Sequence, residues 1–477
     1  MNIRCMLKHL PESLSVILCC VILCSTSYGQ QRPNILLIAV DDLNDWVSCL
    51  GGHPQGHTPH MDQLAQQGTL FSNAHCQAPI CNPSRTSVMY GMRPHRTGVY
   101  MNAPLPWTVP AFDEYVSLPR HFAAHGYLTL TTGKLYHGSR LPEGDFDIIG
   151  PRPGQRLQQD ARLIPPSPEG AKGLWDFGAQ QYELSQFQDH QDATWAIGKL
   201  SEQPADAEKP FLLSIGFYRP HVPFYAPPHS FAPFPLQDIQ LPAFQSDDRN
   251  DIPNIAWDVA VSPAAPAHQW FVDSNHWKRA VQAYLACIHW TDEQVGRVLQ
   301  ALKSSPHADN TIVVLYSDHG FFLGEKQRWA KQSLWERATR VPLVIKAPGI
   351  PPQQACSRPT ELLSIYPTLC DLCGIPVPDQ LQGVSLTPLL RNTAADWDRV
   401  ALTTHGAGNH AVRDDRYRLI HYRDGSEELY DLQDDPHEWT NQAGNPQFSA
   451  IRNRLADHLP PESVPPARAA INRKRRN

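Results

Sequence analysis

The sequence predicts an α/β fold with a mainly parallel central sheet flanked by helices, and three observations carry that prediction. The stretches "NILLIAVDD" (34–42), "YLTLTTGKLYH" (127–137), "FLLSIGFYRPH" (211–221) and "TIVVLYSDHG" (311–320) each open with a short apolar run lacking alternation. Such runs fit strands buried on both faces. Each run passes directly into polar residues, and amphipathic segments of helical period lie between the runs.

Taken in order, the chain begins with Arg4 and Lys8, then an apolar run from Val16 to Cys24, then small residues up to Gly29. This is the layout of a signal peptide over residues 1–29, and the apolar run is too short to span a bilayer. The mature protein is therefore expected to be secreted or periplasmic, with no stable membrane span. A lipid anchor at Cys24 ranks second, because Leu23 stands where a small residue belongs. "TPHMDQLAQQG" offers Thr58 as N-cap, Pro59 at the first helical position and Gly68 past the end. In "PSRTSVMYG", Pro83 suits a first helical turn and Gly91 a stop, which sets Cys81 at or just before a helix N-terminus, where backbone N–H groups favour an anion. The segment 278–303 reads as a long helix. Proline-rich stretches at 140–169 and 219–266 read as long surface loops.

The sulfur count bears on redox chemistry. Eleven cysteines are present, and Cys5, Cys19, Cys20 and Cys24 fall in the leader. Seven remain, so at least one lies outside any intramolecular disulfide, with Cys81 the candidate. Cys370 and Cys373 form a Cys-x-x-Cys, but "ELLSIYPTLCDLCGI" has apolar residues at helical spacing, which predicts buried thiols on a packed helix. The catalytic α/β domain is expected over 30–391. From residue 392, pieces such as "YRLIHYR" and "EELYDL" predict a small C-terminal subdomain (392–460) with an antiparallel sheet. The end, "NRKRRN" after a proline-rich run, reads as a disordered basic tail over 461–477. A formal net charge of −6 argues against a nucleic-acid partner.

In open α/β sheets ligands bind at the carboxyl ends of the strands, so the four polar clusters are expected to share one crevice. Asp41, Asp42 and Asp318 converging there repel one another unless a cation neutralises them. Oxygen-rich ligation favours Ca²⁺ or Mg²⁺; the single His319 beside three Asp leaves Zn²⁺ or Mn²⁺ open. Arg85, Lys134, His137, His221 and Lys331 each have an ordinary structural explanation taken singly. Together they supply cations and proton-transfer groups beside a metal, which suits an oxyanion of sulfur or phosphorus.

"CNPSR" fits Cys-x-Pro-x-Arg and resembles the signature of type I sulfatases, whose cysteine is oxidised to Cα-formylglycine. The resemblance runs from "RPNILLIAVDDL" to "EELYDLQDDPHEWTN" and is nearest the iduronate-2-sulfatase branch, through "TGKLYH", "GFYRPHVPFYAP" and "SDHGFFLGEKQRWAKQSLWERATRVPLVI". It implies an alkaline-phosphatase-like fold and one Ca²⁺ held by Asp41, Asp42, Asp318, His319 and modified Cys81. It further implies a transient partnership with the formylglycine-generating enzyme and a sulfated sugar or polysaccharide as substrate. In that scheme Arg85 and Lys134 hold the formylglycine and the oxyanion. Lys331 and His221 contact the sulfate, one of them protonating the leaving alcohol, and His137 deprotonates the second hydroxyl. Many sulfatases carry Asn at the position of His319, and His there matches the iduronate branch. The resemblance implies hydrolysis of 2-O-sulfated uronate; the alternatives are another sulfated glycan or small sulfate ester, or a phosphonate or phosphodiester. A non-catalytic glycan-binding protein has no chemical need for all six of Cys81, Arg85, Lys134, His137, His221 and Lys331.

Overall fold

Residues Asn34–Val40 (β1) are apolar at nearly every position because both faces of the strand are covered. Leu36, Ile38 and Val40 enter one core with helices Gln188–Ser201 and Trp277–Lys303, whereas Ile35, Leu37 and Ala39 enter a second with Cys81–Tyr90 and Ile365–Cys373. The period of two is therefore present in the packing and invisible in the composition. The computed structural model describes residues 32–151, 162–168, 174–202, 209–261, 265–353 and 355–470. From Pro33 on they form one compact unit, and the expected leader 1–29 lies outside the described residues.

The central sheet has seven strands: β1, Thr69–Leu70 (β2), Leu128–Gly133 (β3), Ile148–Ile149 (β4), Phe211–Phe217 (β5), Thr311–Ser317 (β6) and Leu343–Lys346 (β7). Their order is β2-β7-β6-β1-β5-β3-β4. Neighbours from β6 to β4 are parallel, and β7 is antiparallel to β6 and β2. Helix α1 (Pro59–Gln67) begins after Thr58 as expected, but the Thr58 hydroxyl donates to Asp62 Oδ1 (3.2 Å) and accepts from Ser48 N (2.9 Å) instead of capping a first-turn N–H. The Cys81–Tyr90 helix is α2, Gln188–Ser201 is α3, Trp277–Lys303 is α4 and Ile365–Cys373 is α5. Cys370 and Cys373 are both buried on α5, as its spacing predicts.

A second sheet is antiparallel in the order Ala401–Thr404 (β8), His410–Arg413 (β9), Tyr417–His421 (β10) and Glu427–Asp431 (β11). Ala411, Ile420 and Tyr430 from it, with Tyr422 just past β10, pack with Phe322, Leu334, Trp335 and Ala338, so this sheet buttresses the segment carrying Lys331.

Two sequence expectations need correction. Within 219–266, Phe224–Ala226 forms a strand paired with Phe177–Ala179, and Asn254–Ala260 is a helix; both are too short for periodicity to reveal. Residues 461–470 are not a disordered tail. Val464 N, Ala467 N and Ala470 N donate to His95 O (2.9 Å), Gly98 O (2.8 Å) and Thr108 O (2.8 Å), and the Tyr100 hydroxyl donates to Val464 O at 2.7 Å. Residues 471–477 lie outside the described residues. Also among the described residues, no helix is long and apolar enough to cross a membrane.

Candidate active site

Parallel register brings the strand ends level. Val40 lies opposite both Phe217 and Ser317, and Gly133 opposite Gly216. The ladder continues one step past the strands, with Asp41 N donating to Phe217 O (3.1 Å), Asp318 N to Val40 O (3.2 Å) and Lys134 N to Gly216 O (2.6 Å). Gly133 turns the chain at φ +71°, and a Cβ there would lie 2.1 Å from Gly216 O. Asp42 adopts a left-handed φ of 61°, a conformation Asp tolerates better than most residues. Its N–H donates to Asp318 Oδ1 (3.1 Å), and its carbonyl accepts from the Tyr284 hydroxyl of α4 (2.7 Å).

Helix α2 begins at Cys81, with Pro83 in its first turn, and ends where Gly91 takes a left-handed φ. Every residue of it is buried, so Arg85 is not the surface arginine that a short helix allows. Its guanidinium donates from Nε to Asp318 Oδ2 (2.7 Å), from Nη2 to Asp41 Oδ1 (3.1 Å) and from Nη1 to the carbonyls of Lys134 and Leu135. One side chain thus ties the ends of β1, β3 and β6 to the helix. Ser84 adds a hydrogen bond to Asp318 O at 2.5 Å.

Around the Sγ of Cys81, a residue 1% exposed, stand Lys331 Nζ at 3.2 Å, His319 Nε2 at 3.4 Å, Asp41 Oδ1 at 3.6 Å and Lys134 Nζ at 3.8 Å. Lys134 pairs with Asp41, and Lys331 with Asp42. His319 Nε2 is 3.4 Å from Asp42 Oδ1 and 3.6 Å from Asp318 Oδ2, and His221 Nε2 is 3.9 Å from Asp42 Oδ2. His221 Nδ1 donates to Val222 O (2.6 Å) and His319 Nδ1 to Gly320 O (3.0 Å). Carbonyls only accept, so these bonds fix the tautomers and turn both Nε2 atoms toward the carboxylates.

The electrostatics follow from this crowding. Burial pushes the Asp41 carboxyl up, but Lys134, His221, Arg85 and Lys331 outweigh it and leave Asp41 well below the usual carboxylate range. Asp42 is pushed up to about 7 by burial and by Asp41, against the pull of Lys331. Burial and Asp41 resist ionisation of the Cys81 thiol, yet Lys134, Lys331 and His319 bring it well below a normal thiol. His221 is held well below its ordinary value by burial, then by Lys134 and Lys331.

The donor set fits a divalent cation. Asp41, Asp42, Cys81 and His221 form one group, and Asp41, Cys81, Asp318 and His319 another, with ligand atoms within 4.8 Å of one another in each. Asp42 Oδ2 is buried with no hydrogen-bond partner, an acceptor left over for a cation. Asp41, Asp42, Cys81, Arg85, Lys134, His221, Asp318, His319 and Lys331 are thus drawn together. His137 is half-buried, and its Nδ1 is without a hydrogen-bond partner.

Sequence reasoning missed the residues that aim these groups. Asp189 of α3 accepts Tyr218 N (2.6 Å) and Arg219 N (3.1 Å), and Arg219 Nη1 donates to His221 O (3.0 Å), which fixes the turn bearing His221. Tyr284 and Ser84 perform the same service for Asp42 and Asp318. None carries a sequence signal, because each acts through a backbone partner distant in the chain.

Comparison with known proteins agrees with this geometry. A family model described as Sulfatase matches residues 33–375, and one described as N-sulphoglucosamine sulphohydrolase, C-terminal, matches 324–463. A sulfatase of Formosa agariphila is 40% identical over 460 residues, spanning 92% of this chain and 90% of its own length. A Δ4,5-hexuronate-2-O-sulfatase of Bacteroides thetaiotaomicron is 31% identical over 465 residues, 91% and 89% of the two chains. Among solved structures, a phosphonate monoester hydrolase of Agrobacterium radiobacter superposes with a TM-score of 0.74 at 25% identity, over 89% of this chain and 94% of that one.

Proposed function

Because the chain belongs to the sulfatase family, we propose that it is an exported enzyme removing sulfate from 2-O-sulfated uronic acid in a polysaccharide. The observation that carries this reading is the shell around Cys81 Sγ: two lysines, a histidine and a carboxylate within 4 Å of one buried atom. The uronate assignment draws on the hexuronate-2-O-sulfatase relative.

In this reading Cys81 is oxidised to formylglycine by a transiently bound formylglycine-generating enzyme, and Sγ marks the place a hydrate oxygen takes. Asp41, Asp42, Asp318 and His319 would hold one divalent cation, Ca²⁺ by preference over Mg²⁺, which when bound supplies positive charge for the sulfate oxygens and the nucleophile. Arg85 keeps Asp41 and Asp318 in place for that task, and Lys134 faces both Asp41 and the nucleophile. Residue 81 attacks sulfur, the bond from sulfur to the sugar oxygen breaks, and Lys331 or His221 protonates the departing alcohol. His137 then takes the proton of the second hydroxyl. The carbon–oxygen bond to sulfate breaks, sulfate departs, and water restores the hydrate.

A second reading, a phosphonate or phosphodiester hydrolase, is favoured by the likeness to the phosphonate monoester hydrolase structure. Both are tested by following sulfate and phosphonate release from a panel of 2-O-sulfated uronate disaccharides, hexosamine sulfates, an aryl sulfate and a phosphonate monoester. Release confined to 2-O-sulfated uronate supports the proposal. Preferential phosphonate turnover overturns it.

A further inference from the structure

Several guanidiniums among the described residues meet carboxylates. Arg85 meets Asp41 and Asp318, Arg418 meets Glu336 and Glu438, and Arg337 meets Asp45 and Glu325. Arg328, 5% exposed, has no carboxylate partner among the described residues. Its Nη2 donates to Lys331 O (3.2 Å), while its Nε is buried with no hydrogen-bond partner. A buried guanidinium left without a counter-charge is costly.

What surrounds Arg328 adds positive charge and donors, not anions. Its guanidinium lies 5.6 Å from the ring of half-buried Trp257, and the exposed Arg249 stacks on that same ring at 3.5 Å. Buried His405, whose Nδ1 also lacks a partner, belongs to the same neighbourhood. The backbone here is strained in the left-handed region at Lys326 (φ 51°), Gln327 (55°), Ala330 (73°) and Gln332 (72°), a set that brackets Arg328 and Lys331. Since Lys331 Nζ stands 3.2 Å from Cys81 Sγ, a single lysine separates the unpaired guanidinium from the nucleophile.

We infer that Arg328, with Arg249 at its exposed side and His405 beside it, forms the subsite that receives the carboxylate of the sulfated sugar. This rests on the uronate-sulfatase reading above. A guanidinium edge suits a planar two-oxygen anion better than an ammonium does, and Nε is the donor left for it. The missing counter-ion is then the substrate's own.

The test is a cycle of kcat/KM measurements on a 2-O-sulfated uronate disaccharide and on the same sugar with its carboxyl reduced to hydroxymethyl. Wild type, Arg328→Met and Arg249→Gln are compared, the last at an exposed position in case Arg328→Met fails to fold. In wild type, reducing the carboxyl is expected to cost roughly ten- to a hundredfold, mainly in KM. In Arg328→Met the same reduction is expected to cost less than about twofold, and in Arg249→Gln an intermediate factor. Equal costs in all three proteins, or faster turnover of the reduced sugar by wild type, would overturn the assignment and leave the sulfatase reading standing. Failure of wild type to release sulfate from either sugar would overturn the activity reading, and this subsite with it.

Discussion

Lys331 Nζ lies 3.2 Å from Cys81 Sγ, although 250 residues separate them in sequence. The same ammonium pairs with Asp42, so Lys331 couples the nucleophile position to the carboxylate cluster. That coupling makes the following outcomes measurable.

Cys81→Ala is expected to lower sulfate release by roughly 10³-fold or more, the range seen when a nucleophile is removed, without loss of the fold. Kinetics and thermal melting of the same preparation check this, and peptide mass at position 81 in wild type reports the oxidation. An unaltered rate in the variant would refute residue 81 as nucleophile.

Stripping divalent cations is expected to lower both activity and melting temperature, and adding Ca²⁺ to restore them. At a hundredfold excess over Kd, binding to the native state alone adds about 2.7 kcal/mol. Asp318→Ala should abolish the Ca²⁺-dependent shift in Tm; an undiminished shift would remove Asp318 from the ligand set.

Lys331→Met and His221→Asn separate the two candidate acids. The residue that protonates the leaving alcohol should cost roughly 10²- to 10⁴-fold on a sugar sulfate, and far less on an aryl sulfate, whose phenolate departs unaided. Equal losses on both substrates for both variants would mean neither acts as the acid.

Asp192, wholly buried on α3, accepts from Thr132 Oγ1 (2.6 Å) and Gln188 Nε2 (3.1 Å), with no cation among these partners. Burial pushes its carboxyl up to about 7, with the Thr132 and Gln188 bonds opposing and Asp189 assisting. Below the ordinary carboxylate range of about 4 its contribution to stability is fully present. Between there and about 7 the folded state holds more protons than the unfolded one, so that contribution is lost as the pH rises, by at most about 1.4 kcal/mol per pH unit. Asp192→Asn removes the effect. The Tm of the variant minus that of wild type is expected to climb from pH 4 to 7 and level off above; a flat difference would contradict it.

The positions of the site residues were legible wherever a strand ended. The apolar runs before Asp41, Lys134, His221 and Asp318 have no choice but to lie inside a sheet, and parallel register then aligns their ends. Helix α2 was legible from Pro83 and Gly91. The depth of Arg85 was not, since a ten-residue helix buried all round looks like any short surface helix in sequence. The strap over 461–470 left no trace either, because its bonds run from backbone to backbone and its prolines suggest disorder. His137 was legible only through the resemblance: no strand end places it, and it stands half-buried with Nδ1 unpartnered.

The burial of Cys81 sets an order in time. Asp318 and His319, which help enclose the thiol, are made more than two hundred residues after it, and they follow β6, the strand paired with β1. Any enzyme that oxidises Cys81 has to meet the chain in that interval, before the fold shuts the sulfur away. On the proposed formylglycine reading, a chain that folds first would keep an ordinary cysteine, so the fraction of active molecules would be decided before the fold closes and not by the stability of the finished protein.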